Sequence, residues 1–447
     1  MPSHNLPALA RFAAVLALLP AATVLHAAAA APFAPGAPLP DLATLKTTLT
    51  LTDAQTAQIA PLLDAQAKAD AGFAAAQSLA GTAQTEATTK ITALLNEAQK
   101  PQFVPLAVAR GGRGGGGRGN AAPMSDADKA EIARLDSFPA WKAGSGDGNF
   151  SIGPDYAPAP ELTPRDGVPK GRVERFTVNA ADSKFFPDTG KRGAKSTREV
   201  TVYIPSQYVA GKPAPVIVSC DAYGASNTRV PLSEQQLPRI LDNMIADKRL
   251  PAMIAVMIAN GGGDGPGSER GLEYDTVWGK YAEFVEAEIL PKVEKDYGVM
   301  ITKDPDGRMT LGGSSGGSAA FNMAWFHPEL YHRALIYSGT FVNQQAGPDT
   351  PHGAWSLHET IVPNSPVKPL RLWLHVSQND NSSTAPSTGF HNWVLANIHM
   401  ADVLKAKGYH YELVYAKNAG HTDGKVIAQT YPQALEWVWQ GYKPVTK

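Results

Sequence analysis

The run Met309-Thr310-Leu311-Gly312-Gly313-Ser314-Ser315-Gly316-Gly317 sets a serine among tiny residues, directly after an apolar stretch and ahead of a helical one. A G-x-S-x-G turn of this kind lifts a hydroxyl above the edge of a sheet, and glycines are needed because a Cβ would strike neighbouring backbone. Two frames overlap here. Ser314 is preferred to Ser315 as nucleophile because its frame puts the leading glycine immediately after the last apolar residue of the strand. An alcohol attacks a carbonyl only when a base takes its proton, and the base needs an acid to hold its tautomer. One known chain order is Ser, acid, His. Asp380, just past the apolar run Leu370 to Val376, and His421, in Ala419-Gly420-His421-Thr422, stand where that order needs them; Asp402 and Glu359 are the rival acids. The oxyanion of such a reaction needs two backbone N–H donors. Ser315 supplies one, and Ala222 or Tyr223, in the loop after an earlier strand, supplies the other. The chemistry these residues suit is attack on a carboxylic ester, and it calls for no metal and no organic cofactor.

The elements that must position these groups are short β-branched runs alternating with helical ones. Candidate strands are Glu199 to Ile204, Pro215 to Ser219, Met253 to Ile258, Met309 to Leu311, Ala334 to Tyr337, Leu370 to Val376 and Tyr411 to Tyr415. Helical periodicity marks Val277 to Tyr297, Ser318 to Trp325 and Val426 to Trp439. Near-continuous apolar strands between helices predict an α/β fold, a mostly parallel sheet covered on both faces.

Composition narrows the function classes. The 447 residues are 43% hydrophobic, enough for a large core, and their formal charge of -1 provides no field for nucleic acid or anionic lipid. The single cysteine, Cys220, cannot form an internal disulfide or a structural zinc site. Arg11, the apolar run Phe12 to Leu25 and the alanines through Ala31 read as an export signal too short to span a bilayer. The expected location is the periplasm or the medium, with no membrane span.

Between Asp41 and Leu106 apolar residues recur at helical spacing, Ile59, Leu62 and Leu63 in one stripe and Ile91, Leu94 and Leu95 in another, so a two-helix hairpin is expected. Thr52 and Gln55 fit a capping box. Leu51-Thr52-Asp53-Ala54-Gln55 and Leu95-Asn96-Glu97-Ala98-Gln99 resemble the LTxxQ repeat of small periplasmic stress chaperones. The tract RGGRGGGGRG, Arg110 to Gly119, has almost no side chains to bury and reads as linker.

From about Arg172 to Tyr442 the chain resembles the esterase family related to enterochelin (ferric enterobactin) esterase and, more distantly, feruloyl esterases. The resemblance rests on Arg270-Gly271-Leu272-Glu273-Tyr274-Asp275, Glu288-Ile289-Leu290-Pro291, the elbow, Ala324-Trp325 with His327-Pro328-Glu329, and His391-Asn392-Trp393 with Leu395-Ala396-Asn397. It implies an α/β-hydrolase fold, a Ser314, Asp380 and His421 triad, and an ester or lactone substrate, either a small molecule or carbohydrate-linked. It further implies that Arg270 and Glu273 lie near the cleft and touch substrate, with a structural ion pair as the alternative, and that Trp393 lines a pocket, with a place in the core as the alternative. Asp221-Ala222 departs from the family's frequent Asp-Gly. The expected layout is a signal peptide over 1–31, a helical hairpin over 41–106, a Gly/Pro-rich flexible linker over 107–170 and the catalytic domain over 171–443. The same triad would also serve an acyltransferase, and an inert periplasmic binding or chaperone-like protein is the reading from another class.

Overall fold

A computed structural model describes residues 42–71, 91, 94–96, 99, 123–187, 190–222 and 236–443. Its centre is a sheet of nine strands: β1 (Gly148–Ile152), β2 (Arg172–Asn179), β3 (Thr197–Ile204), β5 (Val216–Cys220), β6 (Ile254–Ile258), β8 (Arg308–Gly313), β9 (Arg333–Tyr337), β10 (Arg371–Asn379) and β11 (His410–Gly420). Two short strands, β4 (Pro213–Ala214) and β7 (Met300–Ile301), pair apart from it. The spatial order is β1-β11-β10-β9-β8-β5-β6-β3-β2. β3 runs antiparallel to both its neighbours; every other pairing in the sheet is parallel. The α/β architecture expected from the strand and helix alternation is the one observed.

Central strands such as VIVSC of β5 and IAVMI of β6 are buried along their whole length because both faces of the sheet are covered. Alternate residues feed two cores. Val216, Val218, Ile254, Val256 and Ile336 point to one, Ile217, Ala255, Met257, Leu311 and Leu335 to the other. The helix Gln236–Ala246 covers the second core with Leu237, Ile240, Leu241 and Met244, an i, i+3, i+4, i+7 stripe, and Gly424–Val438 lies beside it. On the opposite face Ser315–Phe326 and Trp393–Lys407 are the main cover. The helix expected over Val277 to Tyr297 begins at Lys280 and opens into a wide turn at Val285–Ile289 before continuing as Leu290–Tyr297. Pro291, which has no N–H to donate backward, accounts for the local change of pitch.

The segment expected as flexible linker, 107–170, is in part a built piece of this domain. Ser125 caps the helix Asp126–Ala133, and β1 pairs in parallel with β11, from Gly148 opposite Glu412 to Ile152 opposite Ala416. The Trp141 N–H donates to the Ser151 carbonyl at 2.7 Å. The domain therefore starts some fifty residues before Arg172, near Ser125. A five-residue edge strand among glycines and prolines leaves too short a pattern to be read.

Upstream, Leu42–Leu49 and Asp53–Ala71 are helical, so the first arm of the expected hairpin is itself two helices. Leu45, Leu49, Leu51, Ile59, Ile91 and Leu95 form its core. Both LTxxQ-like pieces close reciprocal caps: the Thr52 N–H donates to Gln55 Oε1 at 3.0 Å, and the Asn96 N–H donates to Gln99 Oε1 at 3.0 Å. Each glutamine then reaches across, Gln55 Nε2 donating to the Leu94 carbonyl at 3.0 Å and Gln99 Nε2 to the Leu49 carbonyl at 2.9 Å. The signal stretch and RGGRGGGGRG lie outside the described residues. Among the described residues no helix is long and apolar enough to cross a membrane.

Candidate active site

β5 and β8 are neighbours, while β6 lies on the far side of β5 from β8, so the connections leave in opposite directions at this point of the sheet. A crevice opens at such a switch point, beyond the carboxyl ends of the strands. The elbow stands at the end of β8. A Cβ on Gly312 would lie 2.1 Å from the Gly316 carbonyl oxygen, which explains why a glycine must precede the serine by two positions. Ser314 adopts φ +58° and ψ −129°, a conformation disfavoured for any residue with a Cβ. Four hydrogen bonds hold it there. Its N–H donates to Tyr337 at 2.8 Å, and its carbonyl accepts from Gly317, Ser318 and Thr340 at 2.9, 3.2 and 3.2 Å.

His421 follows β11 and Asp380 follows β10, so two neighbouring parallel strands deliver base and acid to the same edge as the elbow. His421 Nε2 lies 2.9 Å from Ser314 Oγ, and His421 Nδ1 lies 2.5 Å from Asp380 Oδ1. Three side chains placed by the sequence reading are thus brought into one hydrogen-bonded chain. The rival acids stand elsewhere, Asp402 paired with Arg134 and Glu359 with His352 at 2.7 Å. Ser315 Oγ, the hydroxyl of the alternative frame, is buried and accepts from Arg270 Nη1 at 3.0 Å.

Asp380 is 3% exposed, and burial alone would raise its proton affinity. The shift runs the other way, below the usual carboxylate value, because His421, the Ser338 hydroxyl and the Asn381 N–H all favour the anion. Ser338 Oγ donates to Asp380 Oδ2 at 2.7 Å, the Ser377 N–H to the same oxygen at 3.2 Å, and the Asn381 N–H to Oδ1 at 2.8 Å. Ser338, first past β9, was not singled out in the sequence; no local pattern separates it from the chain's other serines.

Four expectations change. The Ala222 N–H donates to the Ile258 carbonyl at 3.0 Å, so it is committed to the sheet and is no oxyanion donor. Tyr223, the other candidate, lies outside the described residues. Arg270 and Glu273 are both buried. Arg270 is 6% exposed and binds Asp221 through Nε at 3.1 Å and Nη2 at 2.5 Å, with Asp264 on Nη1 at 2.7 Å. Glu273 is 1% exposed and takes Arg198 on Oε1 at 2.8 and 2.5 Å and the Gly261 N–H on Oε2 at 2.8 Å. Their one-turn spacing puts them on the same buried side of the helix Glu269–Tyr274, where each meets a different partner. Trp393 is also buried, and stands edge-on to the His421 ring with centroids 6.0 Å apart.

Behind the elbow the electrostatics reverse. Burial pushes Glu273 up to about 7, with Arg198 and the Gly261 N–H opposing only in part. Asp275, wholly buried, also rises to about 7, again by burial. Cys220 is raised well above the ordinary thiol value by the same cause and packs 3.9 Å from Met323 Sδ, which leaves it inert. Among the described residues no group of His, Cys, Asp or Glu side chains could hold a metal ion.

The family model described as "Putative esterase" matches residues 193–426, more than half of the chain. The chain belongs to the esterase family. This esterase is an ester hydrolase with an α/β fold. No curated protein matches it. Among solved structures it is similar to a mutant feruloyl esterase module from Clostridium thermocellum complexed with sinapinate, at 15% identity over 69% of this chain and 99% of that chain, TM-score 0.43. The ferulic acid esterase of the anaerobic fungus Anaeromyces mucronatus is similar at 15% identity over 64% of this chain and 96% of that one, TM-score 0.46. The enterobactin esterase of Shigella flexneri is similar at 16% identity, with 64% of this chain and 63% of that chain covered and a TM-score of 0.44.

Proposed function

We propose that this esterase is a serine carboxylic ester hydrolase that acts through an acyl-enzyme on Ser314, with His421 as general base and acid and Asp380 as the group that orients it. The observation that carries the reading is the chain of hydrogen bonds Ser314 Oγ, His421 Nε2, His421 Nδ1, Asp380 Oδ1, at 2.9 and 2.5 Å. With its proton on Nδ1, the imidazole donates to Asp380 and accepts from the serine hydroxyl, the tautomer that base catalysis needs. Ser314 Oγ attacks the ester carbonyl while its proton moves to Nε2, and Asp380 stabilises the imidazolium. The tetrahedral oxyanion is met by the Ser315 N–H, at the start of a helix whose first N–H groups lack intrahelical acceptors, and by a second donor in the loop after β5. His421 then protonates the leaving alcohol, and water repeats the sequence to free the acid. The ionised Asp380, buried and supplied with donors, supports this reading.

The substrate class is a small-molecule or carbohydrate-linked ester, and the protein is exported to the periplasm or the medium after loss of residues 1–31. Edman sequencing of the protein recovered outside the cytoplasm tests the second point; a retained Met1 would refute it. Hydrolysis of p-nitrophenyl acetate tests the first. Ser314→Ala should lower kcat by about 10⁵–10⁶, and Ser315→Ala by no more than about 10-fold. A fluorophosphonate should add its mass to the peptide carrying Ser314. Unchanged turnover in Ser314→Ala, or labelling on another peptide, would overturn the assignment.

A further inference from the structure

Helix Gly424–Val438 starts beside His421 and runs back along the strands, so its last turn lies about 20 Å from the triad. There it meets the amino-terminal ends of the strands: the Trp437 carbonyl accepts from Arg371 Nε at 2.8 Å, and the Val438 carbonyl accepts from Arg333 Nη1. At this opposite edge a cleft of about 470 Å³ opens, within the size range of small-molecule sites. Its walls include Trp141, Trp437 and Trp439, and its polar groups include Glu412, Gln433 and Gln440.

Four residues lining this cleft carry a buried polar atom with no hydrogen-bond partner: Glu412 Oε2, Gln433 Oε1, Trp437 Nε1 and Trp439 Nε1. Glu412 is 1% exposed, Trp437 3% and Trp439 5%. An unmet buried donor or acceptor costs about 1–3 kcal/mol, and these four gather along one cleft. They are two donors and two acceptors, set among indole walls. The Glu412 carboxyl is fixed by Trp141 Nε1 and Trp373 Nε1, which donate to Oε1 at 2.8 and 2.7 Å and leave Oε2 for something else. On the rim Arg249 is paired with Glu436, its Nη2 lying 2.6 Å away, and Lys142 stands exposed at the opening. What suits mixed donors and acceptors set between aromatic walls is a ring bearing several hydroxyls. A second cleft of about 720 Å³, lined by Trp439, Tyr442, Leu250 and Pro251, shares Trp439 and Arg249 with the first and would extend it to more than one ring.

We propose that the Trp141, Trp437 and Trp439 cleft is a non-catalytic binding site for a neutral sugar unit, on the edge of the sheet opposite the triad. The site would hold a carbohydrate-linked substrate or its polymer by a sugar remote from the ester. Burial, which pushes Glu412 up to about 7, agrees with a neutral ligand.

The full chain carrying Ser314→Ala is titrated with xylobiose, cellobiose and galactobiose, followed by tryptophan fluorescence and by the indole N–H signals in NMR. Saturable binding of at least one disaccharide, with a dissociation constant of about 1 mM, is expected. Trp439→Phe keeps an aromatic wall and removes one donor, and Gln433→Leu removes one acceptor at a partly exposed position; each should weaken binding about 10-fold in that background. In the otherwise wild-type enzyme the same two changes should leave p-nitrophenyl acetate turnover within about 2-fold. No saturable binding up to the solubility of each sugar would overturn the proposal. So would binding that both substitutions leave unchanged, or binding that disappears when Ser314 of the wild type is covalently blocked. Because sugar binding is read in a variant without a nucleophile, its failure is distinct from failure of the esterase mechanism.

Discussion

Asp380, just past the end of β10, and Glu412, on the adjacent strand β11, are both almost wholly buried, yet their carboxyls are pushed in opposite directions. Asp380, at the carboxyl ends of the strands, has donors on both oxygens and an imidazole beside it, and it stays ionised at a value below normal. Glu412, near the amino ends, has two indole donors on one oxygen and an unpartnered second oxygen, and rises to about 7. Glu273 is an intermediate case, with an arginine and a backbone N–H and still a value of about 7. Burial pushes all three carboxyls up, and only at Asp380 do the donors and the imidazole beside it outweigh that push.

The largest break in that contrast is Asp380→Asn. The amide would favour the wrong imidazole tautomer, and kcat for p-nitrophenyl acetate should fall by about 10⁴ with the fold kept, as circular dichroism would show. A loss below 10-fold would remove Asp380 from the mechanism. Next comes Arg198→Met, which leaves Glu273 buried without its cation. Urea unfolding at pH 8 should show a loss of about 3–5 kcal/mol, smaller at pH 5, where Glu273 takes a proton.

Glu412→Gln tests the other pole. The folded value of Glu412 is about 7 against 4.5 for the free side chain, so between these values the folded state holds a proton that the unfolded state has lost. Its contribution to stability is then full below pH 4.5 and declines as pH rises to 7. Gln has no such decline. The stability of the variant relative to wild type should improve by about 3 kcal/mol from pH 4.5 to pH 8 in denaturant titrations, and a pH-independent difference would contradict the assigned shift. Asp380 has the reverse sign: its contribution is present above the ordinary carboxylate range and fades as the solution is acidified through its lower folded value. The smallest expected effect is Ser338→Ala, which removes one donor from Asp380. A fall in kcat of about 5–10-fold with KM unchanged is expected.

Much of this geometry was legible in the sequence, and what was not has physical reasons. The elbow could be read because its constraint is local: a Cβ at Gly312 has nowhere to go, whatever the rest of the chain does. Asp380 and His421 could be read because each sits in the first residues after an apolar strand, and parallel strands bring such residues to one edge. For Arg270 and Glu273 two readings stayed open, substrate contact or a structural ion pair, since one-turn spacing fixes a shared side of a helix and not whether that side faces a cleft or a core; both residues are held in buried ion pairs. Ala222 failed for a similar reason. Whether an N–H is spent in a sheet is decided by the neighbouring strand, here at Ile258. β1 was missed because its signal is five residues long and its partner, β11, lies over 250 residues away.

The one cysteine, Cys220, is sealed under the elbow helix against a methionine sulfur. Its consequence is practical. A thiol-reactive dye or spin label would find no native target in the folded protein, so a cysteine introduced at any exposed position becomes the sole attachment point, and distances across the molecule can be measured without first stripping the chain of its own sulfhydryl.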